Sequence, residues 1–448
     1  MNLTLVRRTW SHLGISTALH HLAPHSPSRP TLVRRTWSHL GIRPASIRIC
    51  SVSDPDRDTK LQRFAALTSV FTPGTPVLRR DRFHGRVEQI LEIINSVAQP
   101  GTHVVLYGER GVGKTSLANV LSDFLAPIWG NRRPTVRINC TTDDTFKTIW
   151  TRVLQEMDLE VPEEWALGKA GPDSIRRILQ AVNPPRLIIF DEFDRFENDE
   201  SLSLMADTIK ALSDHAVETR LIIVGVADSI DALIGEHESI QRAIAEVQLG
   251  RMEPKELIGI IDDGLAQVNM TITPIARHRI GRLAEGLPQY VHMLTLFAAQ
   301  RAVMDDRLEV NVDDVRDAIN NVAKKHSLLR EYQTAVQSPR RDSLFAQVLA
   351  ACALAEKNRL GYFTPGAVKD PMSRIMGKPY DIANFATHLS AFTSSERGSV
   401  LQREGAERKY VYRFKNPLLQ PFALLTALSE GIIAKDLVDE ILGEETSQ

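Results

Sequence analysis

The chain has 448 residues, of which 24% are charged and 43% hydrophobic, with a formal net charge of −1. That length suits roughly two or three domains, and the charge balance excludes a protein that coats nucleic acid by bulk charge, so any such contact must be local. Its three cysteines, Cys50, Cys140 and Cys352, fit neither a disulfide framework nor a zinc pattern, and no apolar run approaches the ~20 residues that span a bilayer. The expectation is a cytoplasmic protein with no membrane among its partners.

The N-terminus is unusual. Thr4 to Ile15 reads TLVRRTWSHLGI, Thr31 to Ile42 repeats it unchanged, and no acidic residue precedes Asp54. Residues 1–60 are therefore expected to form a disordered basic extension. Two other readings remain open, a mitochondrial transit peptide and a basic arm that touches nucleic acid or membrane. Two short copies cannot build a repeat architecture.

Asp54 to Pro76 reads as a lead-in. Phe83-His84-Gly85-Arg86 then opens a helix from Val87 that Pro100-Gly101 ends. The apolar run His103 to Tyr107 is a buried strand, and a helix runs from Ser116 to about Leu125. Between them Gly108-Glu109-Arg110-Gly111-Val112-Gly113-Lys114-Thr115 fits GxxxxGK[ST] at every required position. A strand over Pro134 to Cys140 and a helix over Phe146 to Met157 follow, then a polar surface excursion from Glu160 to Asp173. Strand Arg186 to Phe190 runs into Asp191-Glu192. After helix Leu202 to Ser213 comes strand Arg220 to Asp228, and after a further helix the short strand Glu246 to Leu249. Apolar strands alternating with helices predict an α/β fold, a parallel sheet covered on both faces, over residues 61–252.

Beyond Met252 only helices are expected: Lys255 to Leu265, Thr273 to Ala284, Pro288 to Met304 and Asn311 to Lys324, within a block 253–326. Residues 327–341 read as a polar linker. Helices Ser343 to Ala355, Pro365 to Met376 and Ile382 to Phe392, with a hairpin over Val400 to Phe414, are the parts of a winged helix over 342–430, followed by a tail, 431–448.

The spacing dictates chemistry. Glycines let backbone N–H groups turn around a triphosphate, and the helix N-terminus adds partial positive charge. Lys114 can reach the β/γ oxygens and Thr115 can ligand Mg²⁺. Asp191 would hold Mg²⁺ through its water shell, while Glu192 would orient and polarise the attacking water. ATP and Mg²⁺ are thus the expected cofactors, and an ATPase the expected activity. Asp228 admits two readings, a sensor of the γ-phosphate or a helix N-cap. Arg242 also admits two, a finger reaching a neighbouring subunit's phosphate or a surface arginine paired with Glu238. Arg251 is a weaker candidate finger.

Together these residues resemble the AAA+ ATPases, most closely the origin-recognition and initiator clade and its bacterial relatives, over Asp81 to about Lys325. The resemblance implies that the helical block is a lid, that Asp228 is the first sensor and Arg242 the arginine finger in trans. It also implies a nucleotide-binding set of Gly108, Glu109, Arg110, Gly111, Val112, Gly113, Lys114, Thr115 and Ser116, with Pro288 in the lid. One departure stands out. The lid motif reads Gly286-Leu287-Pro288-Gln289-Tyr290-Val291-His292, so Gln289 or His292 takes the place of a second sensor arginine. A slow enzyme follows.

The third helix of the terminal domain has almost no Lys or Arg, and positive charge gathers instead at Arg397, Arg403, Arg408, Lys409 and Arg413. Two functions fit. One is an ATPase coupled to assembly on DNA through the hairpin. The other is an ATP-controlled switch whose winged helix docks another subunit or partner protein, and either admits a homo-oligomer.

Overall fold

The computed structural model describes residues 55–129, 134–165, 168, 170–226, 238–339, 343–358, 360–406, 409–433 and 437. Of the expected extension 1–60, residues 1–54, with the duplicated segment, lie outside them. Helix α1 (Pro55–Val70) occupies the expected lead-in, so the expected boundary at residue 60 falls inside a helix. It brings Leu67 and, just after it, Phe71 into the core.

The α/β layer contains α2 (Val87–Ala98), β1 (His103–Tyr107), α3 (Lys114–Trp129), β2 (Thr135–Asn139), α4 (Phe146–Glu156), α5 (Pro172–Ala181), β3 (Leu187–Asp191), α6 (Asp199–Asp214), β4 (Arg220–Gly225) and β5 (Ile244–Gln248). The five strands are all parallel, in the order β2-β3-β4-β1-β5. Strands buried on both faces must be apolar at every position, and they divide their side chains by alternation. Val104, Leu106, Ile189 and Ile222 face one core, while Val105, Ile188, Phe190 and Ile223 face the other. This order sets β1 beside β4 and brings the C-terminal ends of β1 and β3 to one edge of the sheet.

The excursion after α4 is not wholly on the surface. Trp165 is fully buried and donates its indole N–H to Ser174 Oγ at 2.9 Å. A polar stretch with one large aromatic anchors itself by that residue.

Next come α7 (Pro254–Gln267), β6 (Thr271–Ile272), α8 (Pro274–Leu283), α9 (Pro288–Met304), β7 (Glu309–Val310) and α10 (Val312–Lys325). The expectation of helices alone misses β6 and β7, which pair in parallel; two residues per strand are too few for a readable alternation. The expected linker also differs. It carries α11 (Leu329–Val336), which buries Tyr332 and Ala335.

The C-terminal segment has α12 (Phe345–Leu354), α13 (Pro365–Met376), α14 (Ile382–Ala391), the antiparallel pair β8 (Leu401–Glu404) and β9 (Val411–Phe414), and α15 (Leu419–Ser429). Helix α15 was not anticipated as an element. It is buried along almost its whole length and joins the core shared by α10 and α12. Phe422 illustrates the join, with its ring 5.9 Å from Tyr332 and 5.2 Å from His326. Each such large apolar side chain contributes roughly 1.5–3 kcal/mol on burial.

Candidate nucleotide site

Strand β1 ends at Tyr107 and α3 begins at Lys114, so the loop between them is held at both ends by regular structure. Gly108 passes so close to β5 that a Cβ there would lie 2.1 Å from the Leu249 carbonyl oxygen, and Gly113 has φ +99. Neither position tolerates a side chain. Lys114 folds back over the loop, donating to the carbonyls of Gly108 at 2.8 Å and Glu109 at 2.9 Å. Burial lowers its pKa from 10.5 to about 8, against the pull of Asp194 and Asp191. An ammonium held this way stands ready for an anion of higher charge than a carbonyl.

Asp191, at the end of β3, is 2% exposed. Its Oδ1 accepts from Thr115 Oγ1 at 3.4 Å and from the Glu192 backbone N–H at 2.9 Å. Glu192 adopts φ 55, a left-handed conformation that a non-glycine residue enters at a cost and that concentrates at functional sites. Its carboxylate is half exposed, 3.4 Å from Arg195. Arg110 pairs with Asp194 at 3.3 Å across the same opening.

These groups share a 420 Å³ cavity. Arg110, Gly111, Gly113, Lys114, Thr115 and Ser116 line it from the loop, Asp191 and Glu192 from β3, and Pro288, Gln289 and His292 from α9. The loop, the acid pair and Pro288 thus line one cavity. Gly108, Glu109 and Val112 stand behind the loop and do not line the cavity. His292 is neutral near pH 7, since burial pushes its pKa down to about 4. Among the described residues, α9 adds no charged side chain to the cavity lining.

A smaller, more apolar recess adjoins it, lined by Val77, Phe83, His84, Met252 and Ile260. Arg86 forms its floor. This side chain is 4% exposed, and it donates to the carbonyls of Val112 at 2.9 Å and Gly250 at 2.7 Å, splinting the loop to the end of β5.

Residues 98–234 match the family model described as an AAA domain. Those residues form an AAA domain. The sheet fits that membership, and the phosphate loop and Asp191-Glu192 fall within the matched span. No curated protein matches the chain significantly. Among solved structures, Cdc6p of Pyrobaculum aerophilum is 15% identical, covering 82% of this chain and 99% of that one, with TM-score 0.45. ORC2 of Aeropyrum pernix is 14% identical, covering 85% and 98%, with TM-score 0.47. The RuvB branch migration motor of Thermotoga maritima is 14% identical, covering 75% and 94%, with TM-score 0.40.

Asp228 lies outside the described residues; Val226, two positions earlier, lines the cavity of the AAA domain. Arg242 sits on the 3-10 turn Glu238–Ala243, outside the residues that line the cavity, and pairs with Asp214 at 2.8 Å. Its side chain is 73% exposed. Arg251, the weaker candidate finger, is engaged within the chain. It bonds the loop's own Glu109 at 2.9 Å and the Glu285 carbonyl at 3.0 Å.

Several residues of the site gave no usable signal in the sequence. The segment Thr72 to Val77 roofs the cavity because Val77 N–H donates to Ser116 Oγ at 3.1 Å and Asn119 donates to the Val77 carbonyl at 2.9 Å. Those contacts join positions some forty residues apart, with only a Pro/Gly turn to mark them. Arg137 of β2 donates to Asp191 Oδ2. Its one signal is a charge inside the strand Val136-Arg137-Ile138, which on an edge strand reads as a solvent-facing position.

Proposed function

We propose that this AAA domain binds ATP with Mg²⁺ and hydrolyses it slowly. The observation that supports this best is the convergence of Lys114, Thr115, Asp191 and Glu192 on one cavity, with Lys114 hydrogen-bonded to its own loop's carbonyls. The loop N–H groups and Lys114 would hold the β and γ phosphates, and the recess beside Phe83 and Met252 would take the base. Thr115 and Asp191 fit a hard cation with oxygen ligands. Mg²⁺ bound there would neutralise charge on the phosphates. Glu192 would orient the attacking water once its carboxylate leaves Arg195. A neutral His292 and Gln289 at the lid contribute no fixed positive charge, and turnover is slow for that reason.

In binding and turnover assays of the full chain, Lys114→Ala loses ATP binding. Glu192→Gln keeps binding and loses about 10²-fold or more in rate, because positioning and electrostatics supply most of this catalysis. Unchanged turnover in Glu192→Gln removes the residue from the role of base.

The C-terminal segment would be a winged helix that transmits the nucleotide state, to DNA in the first reading and to a partner protein in the second. A specific observation favours the second. Three of the basic residues around the hairpin are engaged within the chain, Arg397 over Phe345 at 3.6 Å with a bond to the Ala335 carbonyl, Arg403 over Tyr410 at 4.5 Å and Arg413 over Tyr362 at 4.8 Å.

A further inference from the structure

Asp191 is paired on both sides. While Oδ1 faces Thr115 and the Glu192 N–H, Oδ2 is taken by Nη2 of Arg137 on the neighbouring strand. The register puts Arg137 opposite Ile189 and Asn139 opposite Asp191, so the arginine reaches along the sheet to the carboxylate from behind, outside the set that lines the nucleotide cavity. Nε of Arg137 is buried with no partner among the described residues, a cost that accompanies the ion pair. The carboxylate is only 3% exposed, whereas the arginine is 27% exposed. A buried carboxylate needs a counter-charge, and Arg137 supplies one through a direct ion pair.

We propose that Arg137 is the positioning residue of the magnesium site. It orients Asp191 so that Oδ1 faces Thr115, and its positive charge competes with a divalent cation for the same carboxylate. The ion pair thereby sets a threshold of metal concentration below which Asp191 stays closed against Arg137. This deepens the Mg²⁺–ATP reading and rests on it for its function, but the competition between guanidinium and metal can be measured without any nucleotide.

The experiment titrates the full chain with Mn²⁺, following free metal by electron paramagnetic resonance, first alone and then with ADP. Arg137→Gln, which removes the charge at similar size, should bind Mn²⁺ about 10-fold more tightly than wild type, ~1.4 kcal/mol. Arg137→Lys, which keeps the charge, should bind it as wild type does. Asp191→Asn in either background should abolish the difference, and thermal unfolding of each variant checks that the fold is intact. Equal occupancy of wild type and Arg137→Gln at every metal concentration overturns the proposal, even if ATP binds normally. If wild type binds no nucleotide at all, the ATP reading fails, and the metal-only titration still judges Arg137.

Discussion

Glu109, in the phosphate loop, and Arg251, at the end of the AAA sheet, form a largely buried ion pair at 2.9 Å, with side chains 13% and 21% exposed. The pair opens a chain of contacts leading out of the nucleotide site. Arg251 bonds the Glu285 carbonyl, and the Glu285 carboxylate accepts from Gln420 of α15 at 3.0 Å. Burial raises the Glu285 pKa, opposed by Lys357 and Arg251. The Glu109 carboxylate also lies against the C-terminal segment, where a Cβ on Gly361 would come within 1.9 Å of it. Leu418 presses on the same loop at Gly111. Any movement of the phosphate loop is therefore felt by α15.

Arg251→Ala should loosen that link while leaving Lys114, Thr115, Asp191 and Glu192 in place. It strands a buried carboxylate, so a loss of about 3–5 kcal/mol of stability is expected. Amide exchange gives the specific readout. In wild type, ATP should alter exchange over both the loop and residues 419–429, whereas in the variant the second change should disappear. Protection of α15 by ATP in Arg251→Ala would show that the coupling takes another route.

Lys114 makes nucleotide binding depend on pH. With its folded pKa lowered from 10.5 to about 8, keeping it charged opposes folding. That cost is fully present below pH 8 and fades as pH rises toward 10.5, so this group's effect on stability improves across that window. Its effect on binding has the opposite sign. Above pH 8 the empty site loses its cation, and ATP affinity should fall by at most about 10-fold per pH unit. Lys357 titrates in the same range, at about 8, but does not line the cavity. Equal ATP dissociation constants at pH 7 and 9.5 would remove Lys114 as the phosphate-binding cation.

Arg242 offers a test of assembly. Its exposed pair with Asp214 is worth about 0–1 kcal/mol and cannot hold it against a phosphate. As a finger in trans it should make turnover per subunit rise with protein concentration, and doping wild type with Arg242→Ala protein should lower the rate through mixed assemblies. Turnover independent of concentration, with Arg242→Ala fully active, leaves it a surface residue.

The hairpin still presents Arg403 and Lys409 on its exposed side. If they meet DNA phosphates, the full chain should retard duplex DNA with little sequence preference, and binding should weaken steeply between about 50 and 200 mM salt. Replacing both with Ala should reduce the salt slope by about 2. The full chain is needed because α15 shares its core with α9 and α10. Absence of any retardation at low salt assigns the C-terminal segment to protein docking.

The candidate site was legible in the sequence as far as its chemistry is local. Gly108 to Thr115 must be contiguous, because one turn of backbone has to cradle a phosphate. Asp191-Glu192 must follow an apolar strand, because the sheet delivers them; for the same reason the alternation of strands and helices disclosed a parallel α/β sheet. Tertiary structure alone decided which distant groups surround those motifs. Arg137 behind Asp191, Arg251 beneath Glu109, Val77 over Ser116 and α15 against the lid are contacts between residues far apart in the chain. Each of these side chains reads singly as an ordinary strand, surface or core position. Their roles arise only when folding brings a buried charge and its counter-charge together, since the cost of burying either alone selects the pair and leaves no periodic mark in the sequence.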